Sequence, residues 1–373
     1  MTANEAPLTT ALPLAARGDA VARWVFQVKR RHGRGYAAQV ADMVRYNRGA
    51  QRLQPVEYYL YRLYERDRFT GEQRRAFIGH TGRRRIVRAL NDVHAVILAN
   101  DKLVTYGYLK GMGFPIAELR VLFHPTRGHG DLTVLRDAEA VAAYLRNGLA
   151  YPSFGKPLGR SNAIGAASLC GYRAADDSIV MAGDKAASVT GLAKATTGFL
   201  PHGYLFVEHL WPHPDVRAMV GERLCTARVY VVLEPEGPRI IAAVWKIVTG
   251  ANMADNFVLP GNLLGAIDLE TGALTRIVGG SGPDETEHET HPDTGGRLLG
   301  FRLPDWALLK DTVRAAAAAF PRLGYQGWDV AVTPRGPVLV ELNSAGDMSL
   351  WQRAAAKGMM NDRFHAILSG RGR

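Results

Sequence analysis

The first hundred residues carry apolar positions at spacings of three and four. Val21, Trp24, Val25 and Val28 fall on one stripe, and the pattern predicts helices over 18–48 and 55–66. The stretch 71–110 continues it with breaks, where Asn91 or Asp92, and then Asn100 or Asp101, supply capping side chains. Gly111-Met112-Gly113-Phe114-Pro115 ends the run. Residues 118–123 read as a strand, and Leu135, Ala138, Val141, Tyr144 and Leu145 mark an amphipathic helix over 135–147.

From about residue 150 the period changes to two. β-Branched runs predict strands at 151–155, 203–208, 227–233, 240–248, 330–333 and 338–343. Pro235-Glu236-Gly237-Pro238 and Pro334-Arg335-Gly336-Pro337 lie between consecutive runs and predict antiparallel hairpins. Helices return at 305–321 and near 349–360, and residues 278–297 read as a polar loop. No internal repeat is evident. The layout is a helical region followed by an α+β fold.

Composition narrows the classes. At 373 residues the chain has room for two or three domains. An apolar content of 47% excludes a disordered chain. Cys170 and Cys225 are too few for a disulfide scaffold or a zinc cluster; they fit a reducing setting and are expected to be small core residues. No run reaches the length of a membrane-spanning helix. Residues 1–14, with Pro7 and Pro13, lack the pattern of a signal peptide and read as a frayed end. A cytoplasmic location is the expectation.

The net charge of +11 is concentrated at one end. Residues 1–100 carry 18 basic and 8 acidic side chains, leaving 28 and 27 for the remainder. Solvated helix faces, attraction to an anionic partner such as a membrane surface, and a nucleic-acid site compete as readings. The last requires aromatic platforms in a recognisable module, and none is found, so no nucleic-acid partner is expected. The run from Tyr58 to Tyr64 follows Pro55 on a helical pattern and is expected to pack a core.

Four segments can carry chemistry. In Phe154-Gly155-Lys156-Pro157-Leu158-Gly159-Arg160-Ser161-Asn162-Ala163-Ile164-Gly165 a strand gives way to a lysine and a glycine-bearing loop. Such a loop lets backbone N–H groups approach phosphate oxygens, and it also reads as a plain turn. In a hairpin of 329–333 with 338–343, Asp329 and Asn343 lie near each other, and Glu341 shares a face with Asn343. Three oxygen donors at one spot suit Mg²⁺ beside phosphates; pairing of Glu341 with an arginine is the alternative. Glu208-His209-Leu210 follows a strand. Arg228 and Lys246 stand on successive strands, either turned inward to clamp phosphate charge or exposed.

Taken in order, Lys156, Glu208, Arg228, Lys246, Asp329, Glu341 and Asn343 resemble the ATP-grasp fold. Within it they are similar to the sugar-transfer-associated ATP-grasp family found with cell-surface polysaccharide genes. The resemblance rests on Gly155-Lys156-Pro157, Asp255-Asn256-Phe257, Ala266-Ile267-Asp268 with Thr271-Gly272, His291-Pro292-Asp293-Thr294-Gly295, the run from Gly327 to Thr333, Gly336-Pro337 and Glu341-Leu342-Asn343. It covers roughly residues 90–360. It implies a basic helical region over 1–90, a small lobe with the phosphate loop over 91–205, and a large lobe with the metal site over 206–373.

The resemblance further implies ATP and Mg²⁺ as cofactors. Lys156 would touch the α- or β-phosphate, and the loop with Gly159, Ser161 and Gly165 would close over the triphosphate. Glu208, His209 and Leu210 would form the adenine hinge, with Asp215 or His213 at the ribose. Asp329, Glu341 and Asn343 would hold the metal, and Arg228, with Lys246, would face the γ-phosphate. Asp255, Asn256, Asn262 and His291 flank this site as substrate contacts. The upstream lysine usual in such proteins has no clear counterpart; Lys102 lies on a helical pattern.

The implied activity is an ADP-forming carboxylate–amine ligase working through an acyl phosphate. Its partners would be a small-molecule carboxylate and an amine, in the making of a cell-surface polysaccharide or a specialised metabolite. A kinase that phosphorylates a hydroxyl is one alternative. A non-catalytic protein that docks on anionic surfaces through residues 23–88 is another. Oligomeric state is not indicated.

Overall fold

The computed structural model describes residues 15–130, 132–159, 165–183, 185–252, 254–257 and 259–370. The expected frayed start and Ser161 of the phosphate loop lie outside the described residues.

Seven helices open the described chain: α1 (Ala15–His32), α2 (Tyr36–Arg48), α3 (Pro55–Leu60), α4 (Gly71–Arg75), α5 (His80–Leu90), α6 (Val93–Asn100) and α7 (Lys102–Gly111). The helix expected over 18–48 is two helices, because Gly33 adopts φ +64°, a conformation that ends an α-helix and suits glycine. The helix expected over 55–66 stops at Leu60, and Arg62 turns the chain at φ +54°. That turn lets Tyr58, Tyr59, Tyr61 and Tyr64 enter one buried cluster with Trp24, Val28, Phe69 and Phe77. The tyrosine run packs a core, as its helical position led us to expect.

Asp92 caps α6 by accepting from the N–H groups of His94 and Ala95, and Asp101 caps α7 through Leu103 and Val104. Asn91 has a different task. Its amide donates to the carbonyls of Tyr325 and Ser344 and accepts from the Tyr325 N–H, which ties the helical region to the sheet behind it. Gln352 does the same further along, bonding both backbone groups of Ile78.

The first sheet contains β1 (Leu119–Phe123), β2 (Thr133–Leu135), β3 (Ser153–Pro157), β4 (Ala167–Arg173), β5 (Ser178–Met181), β6 (Lys185–Ser188) and β7 (Tyr204–Glu208), in the order β2-β1-β7-β3-β4-β5-β6. Only β1 and β2 run parallel; the other pairs are antiparallel. Helices α8 (Ala138–Asn147) and α9 (Val189–Thr197) pack on it through Val141, Leu145, Val189 and Leu192.

The second sheet is antiparallel throughout. It contains β8 (Thr226–Glu234), β9 (Gly237–Ile247), β10 (Leu263–Ile267), β11 (Leu274–Gly279), β12 (Thr286–His288), β13 (Tyr325–Thr333) and β14 (Gly336–Asn343), in the order β12-β11-β10-β9-β8-β13-β14. Both expected hairpins, β8–β9 and β13–β14, are present. Helices α10 (Pro214–Val220), α11 (Trp306–Ala318), α12 (Met348–Ala354) and α13 (Asp362–Leu368) complete the described chain.

Both faces of the second sheet are covered, so its central strands are buried on alternate and intervening residues alike. Val229, Val231, Ala243 and Trp245 pack toward α10 and α11. Tyr230, Val232, Ala242 and Val244 pack toward α5, α12 and α13. By alternation, Arg228 and Lys246 belong to the latter face.

Several expectations change. β4, β6 and α9 were unforeseen because Ala, Gly, Ser and Thr weaken their patterns, and β5 because Ser-Ile-Val-Met is only four residues long. The polar loop expected over 278–297 contains the end of β11 and the edge strand β12, whose polar residues face solvent. Cys225 is buried, but Cys170 is exposed rather than in the core. The boundary expected at 206 falls inside β7, which belongs wholly to the first sheet.

Candidate active site

Lys156 lies within β3 and not in the loop after it, because the strand expected over 151–155 ends two residues later, at Pro157. The strand fixes its direction. Its ammonium donates to the Tyr106 hydroxyl and stands 4.5 Å over that ring. The Tyr106 hydroxyl in turn donates to the carbonyl of Val340 in β14. A lysine of the first sheet, a helix between the sheets and a strand of the second sheet are thereby joined.

Across the second sheet Arg228, Asp329 and Glu341 are successive cross-strand partners on β8, β13 and β14. Residues paired in this way share a face. The Arg228 guanidinium grips Asp329 with two prongs, Nε to Oδ1 at 2.5 Å and Nη2 to Oδ2 at 2.8 Å. Lys246 reaches the same Oδ2 at 3.2 Å and Asp255 Oδ1 at 3.2 Å. Asp255 also accepts from the Thr226 N–H at 2.9 Å and its hydroxyl at 2.5 Å. Lys102, at the start of α7, pairs with Glu341 at 3.2 Å.

Gly327 permits the arginine's course over the sheet. A Cβ there would lie 3.3 Å from Arg228 Cδ and 3.0 Å from Gly346 Cα. Arg228, Lys246 and Asp329 are buried, at 8%, 7% and 4% exposure, which decides against the surface alternative for the two cations. Burial would raise the Asp329 carboxyl, but the adjacent Arg228 and Lys246 charges hold it well below the usual carboxylate range. Burial pushes the Lys156 ammonium down to about 8, against the opposing pull of Glu341 and Asp329.

Four cations (Lys102, Lys156, Arg228 and Lys246) thus share the site with three carboxylates (Asp255, Asp329 and Glu341). The surplus is positive, which suits an anion carrying several charges. Asn343 pairs with Gly327, two residues from Glu341 on the same strand face, and its buried Nδ2 has no hydrogen-bond partner. Among the described residues no three His, Cys, Asp or Glu side chains gather as a metal set. The oxygen donors available here are the carboxylates of Asp329 and Glu341 and the side-chain carbonyl of Asn343, whose unpartnered Nδ2 is a hydrogen-bond donor and not a metal ligand. These are hard oxygen ligands of the kind that suits Mg²⁺ held jointly with phosphate oxygens.

The remaining expected residues spread further. Glu208, at the end of β7, accepts from the Glu118 N–H at 2.8 Å and pairs through both oxygens with Arg335 from the β13–β14 turn. This bridges the two sheets. Leu210 is buried in a cluster shared by both, with Leu205, Val207, Ala331 and Val338. His209 Nδ1 lies 3.3 Å from the Ser168 hydroxyl. Asp215 is exposed in the first turn of α10, and His213 caps that helix. Gly159 and Gly165 flank the undescribed stretch of the loop; a Cβ would strike His202 at the first and Phe199 at the second.

Asn262 and His291 are engaged by the protein itself. Asn262 accepts from Thr249 N–H and Asn252 and donates to the carbonyls of Ala254 and Asn256, which closes the 249–262 loop. One nitrogen of His291 bonds the Val248 carbonyl and the other accepts from Asp293 and Thr294. Asp255, carried on that loop, is the member of this group that enters the charged cluster. Sequence reasoning set Lys102 aside as the upstream lysine because it lies on a helical pattern, and it passed over Tyr106 and Arg335; the structure brings Lys102 to Glu341. Lys102 and Tyr106 share α7 one turn apart, and the signal was an i, i+4 spacing after the capping Asp101.

A sequence model of the sugar-transfer associated ATP-grasp family matches residues 82–367. No curated protein matches the chain. Solved structures are similar to the chain at low identity. The D-alanine-D-alanine ligase of Coxiella burnetii is 12% identical over 76% of this chain and 60% of its own, with a TM-score of 0.41. Biotin carboxylase of Campylobacter jejuni is 11% identical over 76% and 49%, at 0.43. N5-carboxyaminoimidazole synthase of Aspergillus clavatus is 13% identical over 68% and 46%, at 0.38. The chain spans about half the length of these structures. At such scores they carry no weight on activity.

Proposed function

The chain belongs to the sugar-transfer associated ATP-grasp family, and on that premise we propose that it is an ADP-forming ligase joining a small-molecule carboxylate to an amine. The observation that carries the reading is the buried row Arg228–Asp329–Glu341, with Lys246 beside it and Lys102 and Lys156 facing it. A polyanion is the ligand such a surplus of buried cations suits.

Lys156 and Lys102 bind phosphate oxygens, and Glu208, His209 and Leu210 line the base. Asp329, Glu341 and Asn343 would hold Mg²⁺, which supplies neutralisation of phosphate charge when bound. Arg228 exchanges part of its contact with Asp329 for the γ-phosphate and follows the charge that develops there. Lys246, held between Asp255 and Asp329, orients the substrate carboxylate, with Asn256 nearby on the same loop.

In the first step a carboxylate oxygen attacks the γ-phosphorus and ADP leaves, giving an acyl phosphate. In the second the amine attacks the acyl carbon, inorganic phosphate leaves, and the amine gives up a proton. Such chemistry needs positioning and charge stabilisation more than a nucleophilic side chain. The reaction would serve the assembly of a cell-surface polysaccharide or a specialised metabolite, in the cytoplasm.

Phosphorus NMR of ATP incubated with the protein, Mg²⁺ and mixed carboxylates and amines tests the reading. The expected products are ADP and inorganic phosphate in step with a new amide. A phosphoester in place of inorganic phosphate would replace the ligase with a kinase, and no calorimetric heat on adding ATP with Mg²⁺ would remove both.

A further inference from the structure

The family match begins at residue 82, so α1 and α2 precede it. Their inner faces pack into the tyrosine core. Their outer faces do something unusual for a charged helical pair. Phe26 is 65% exposed, Tyr36 40%, Val40 54% and Val44 43%. Tyr36, Val40 and Val44 follow one another at i, i+4 and i+8 along α2, so they form one stripe. Phe26 of α1 meets Tyr36 edge-on at 5.8 Å, which joins the stripe to the neighbouring helix.

The rim of this patch is basic. Arg23, Lys29, Arg30, Arg45 and Arg48 are exposed, and none of the five forms an ion pair among the described residues. The Lys29 ammonium stands 4.5 Å over the Tyr36 ring. Among the described side chains of the two helices the one carboxylate is Asp42, which is buried and paired with Arg34 and Arg66. Apolar side chains in the middle and uncompensated cations around them complement a surface that is anionic outside and apolar beneath. No described helix is long and apolar enough to cross a bilayer, so contact would be peripheral.

We propose that the outer face of α1 and α2 docks on an anionic lipid bilayer, with Phe26, Val40 and Val44 entering the headgroup boundary and Arg23, Lys29, Arg30, Arg45 and Arg48 meeting lipid phosphates. Neither half suffices alone: a few apolar side chains give marginal binding, and basic side chains add an increment for each charge near the surface. The inference does not depend on the ligase reading, since none of these residues lies in the charged cluster.

The test is co-sedimentation of the full chain with phosphatidylcholine vesicles, with and without roughly 30% phosphatidylserine. Binding is expected to rise at least about tenfold with the anionic lipid and to fall on raising NaCl from about 0.15 to about 0.5 M. Val40→Ser with Val44→Ser, both at exposed positions, should lower partitioning about tenfold without altering charge. Arg45→Gln with Arg48→Gln should lower it and flatten the salt dependence. Circular dichroism of each variant reports the fold independently. Absence of binding to the anionic vesicles overturns the proposal. So does binding that the Val40/Val44 variant leaves unchanged, which would mark a general polyanion site. A Val40/Val44 variant that turns a dimer into a monomer, with no vesicle binding by either form, would assign the patch to a second copy of the chain.

Discussion

Arg228 and Asp329 form a two-pronged ion pair across adjacent strands, almost wholly buried, with Lys246 on the second carboxylate oxygen. One carboxylate therefore compensates two buried cations. Taking charges from water is costly unless each is paired, so the sheet tolerates Arg228 and Lys246 at this depth only because Asp329 and Asp255 are there. The same arrangement stores positive charge that a phosphate can claim.

Replacing Asp329 with Ala should therefore act on stability as well as rate. Two cations would lose a partner in a dry environment, and the expected loss is about 3–5 kcal/mol, read from denaturant unfolding. Adding Arg228→Met to Asp329→Ala should recover a good part of that loss without recovering ATP turnover. If the double variant were no more stable than the single, the ion pair would not be what holds the strands here.

Glu208 and Arg335 give a second expectation. Both carboxylate oxygens of Glu208 are already used, by Arg335 and by the Glu118 N–H. Arg335 is about half exposed, so Arg335→Ala should change stability by no more than ~1 kcal/mol. The pair nevertheless spans the two sheets beside the proposed base site. Arg335→Ala should raise the KM for ATP several-fold with kcat little changed, the pattern of lost ground-state binding. An unchanged KM would separate this latch from nucleotide binding.

Asn262 makes a third. Its four hydrogen bonds, at 1% exposure, hold the loop that carries Asp255. Asn262→Asp would set an acceptor against the carbonyls of Ala254 and Asn256 in place of a donor. The expected cost is on the order of 2–4 kcal/mol, seen as a lower melting temperature. Asp255→Asn, by contrast, should reduce turnover more than stability, because the amide still accepts from Thr226 while the charge beside Lys246 is gone.

Much of this was legible in the sequence where strand periodicity was strong. The β8–β9 and β13–β14 hairpins announce themselves by β-branched alternation and Pro-Gly turns, and these carry Arg228, Lys246, Asp329, Glu341 and Asn343. Strands rich in Ala, Ser and Gly, such as β4 and β6, give no such signal, since their fit depends on partners elsewhere in the chain. Lys102 was discounted for another reason. Its helix reads as an ordinary amphipathic segment, and only the tertiary fold shows that the first turn of α7 opens onto Glu341. His291 was expected beside the site because the segment His291–Gly295 carries the family resemblance; the folded loop consumes both its nitrogens.

The fourth expectation concerns pH. Burial holds the Lys156 ammonium down at about 8, while Glu341 and Asp329 pull the other way. Phosphate oxygens bind the ammonium form, so ATP raises this pKa and binding must take up a proton near and above pH 8. ATP affinity should then fall as pH rises past 8, approaching tenfold per pH unit well above it. Calorimetry in buffers of different ionisation enthalpy measures the uptake directly. Lys156→Arg keeps the charge at every pH and should abolish both the uptake and the slope. The folding linkage has its own sign. A lysine whose folded pKa lies below its unfolded value is penalised while charged, so its burial costs stability below about pH 8, and that cost is relieved as pH climbs toward the unfolded value. Over that alkaline window the wild type should gain stability relative to Lys156→Met, which has no proton to lose. Affinity that stays level through pH 8 in the wild type would mean that Lys156 does not meet the nucleotide's phosphates.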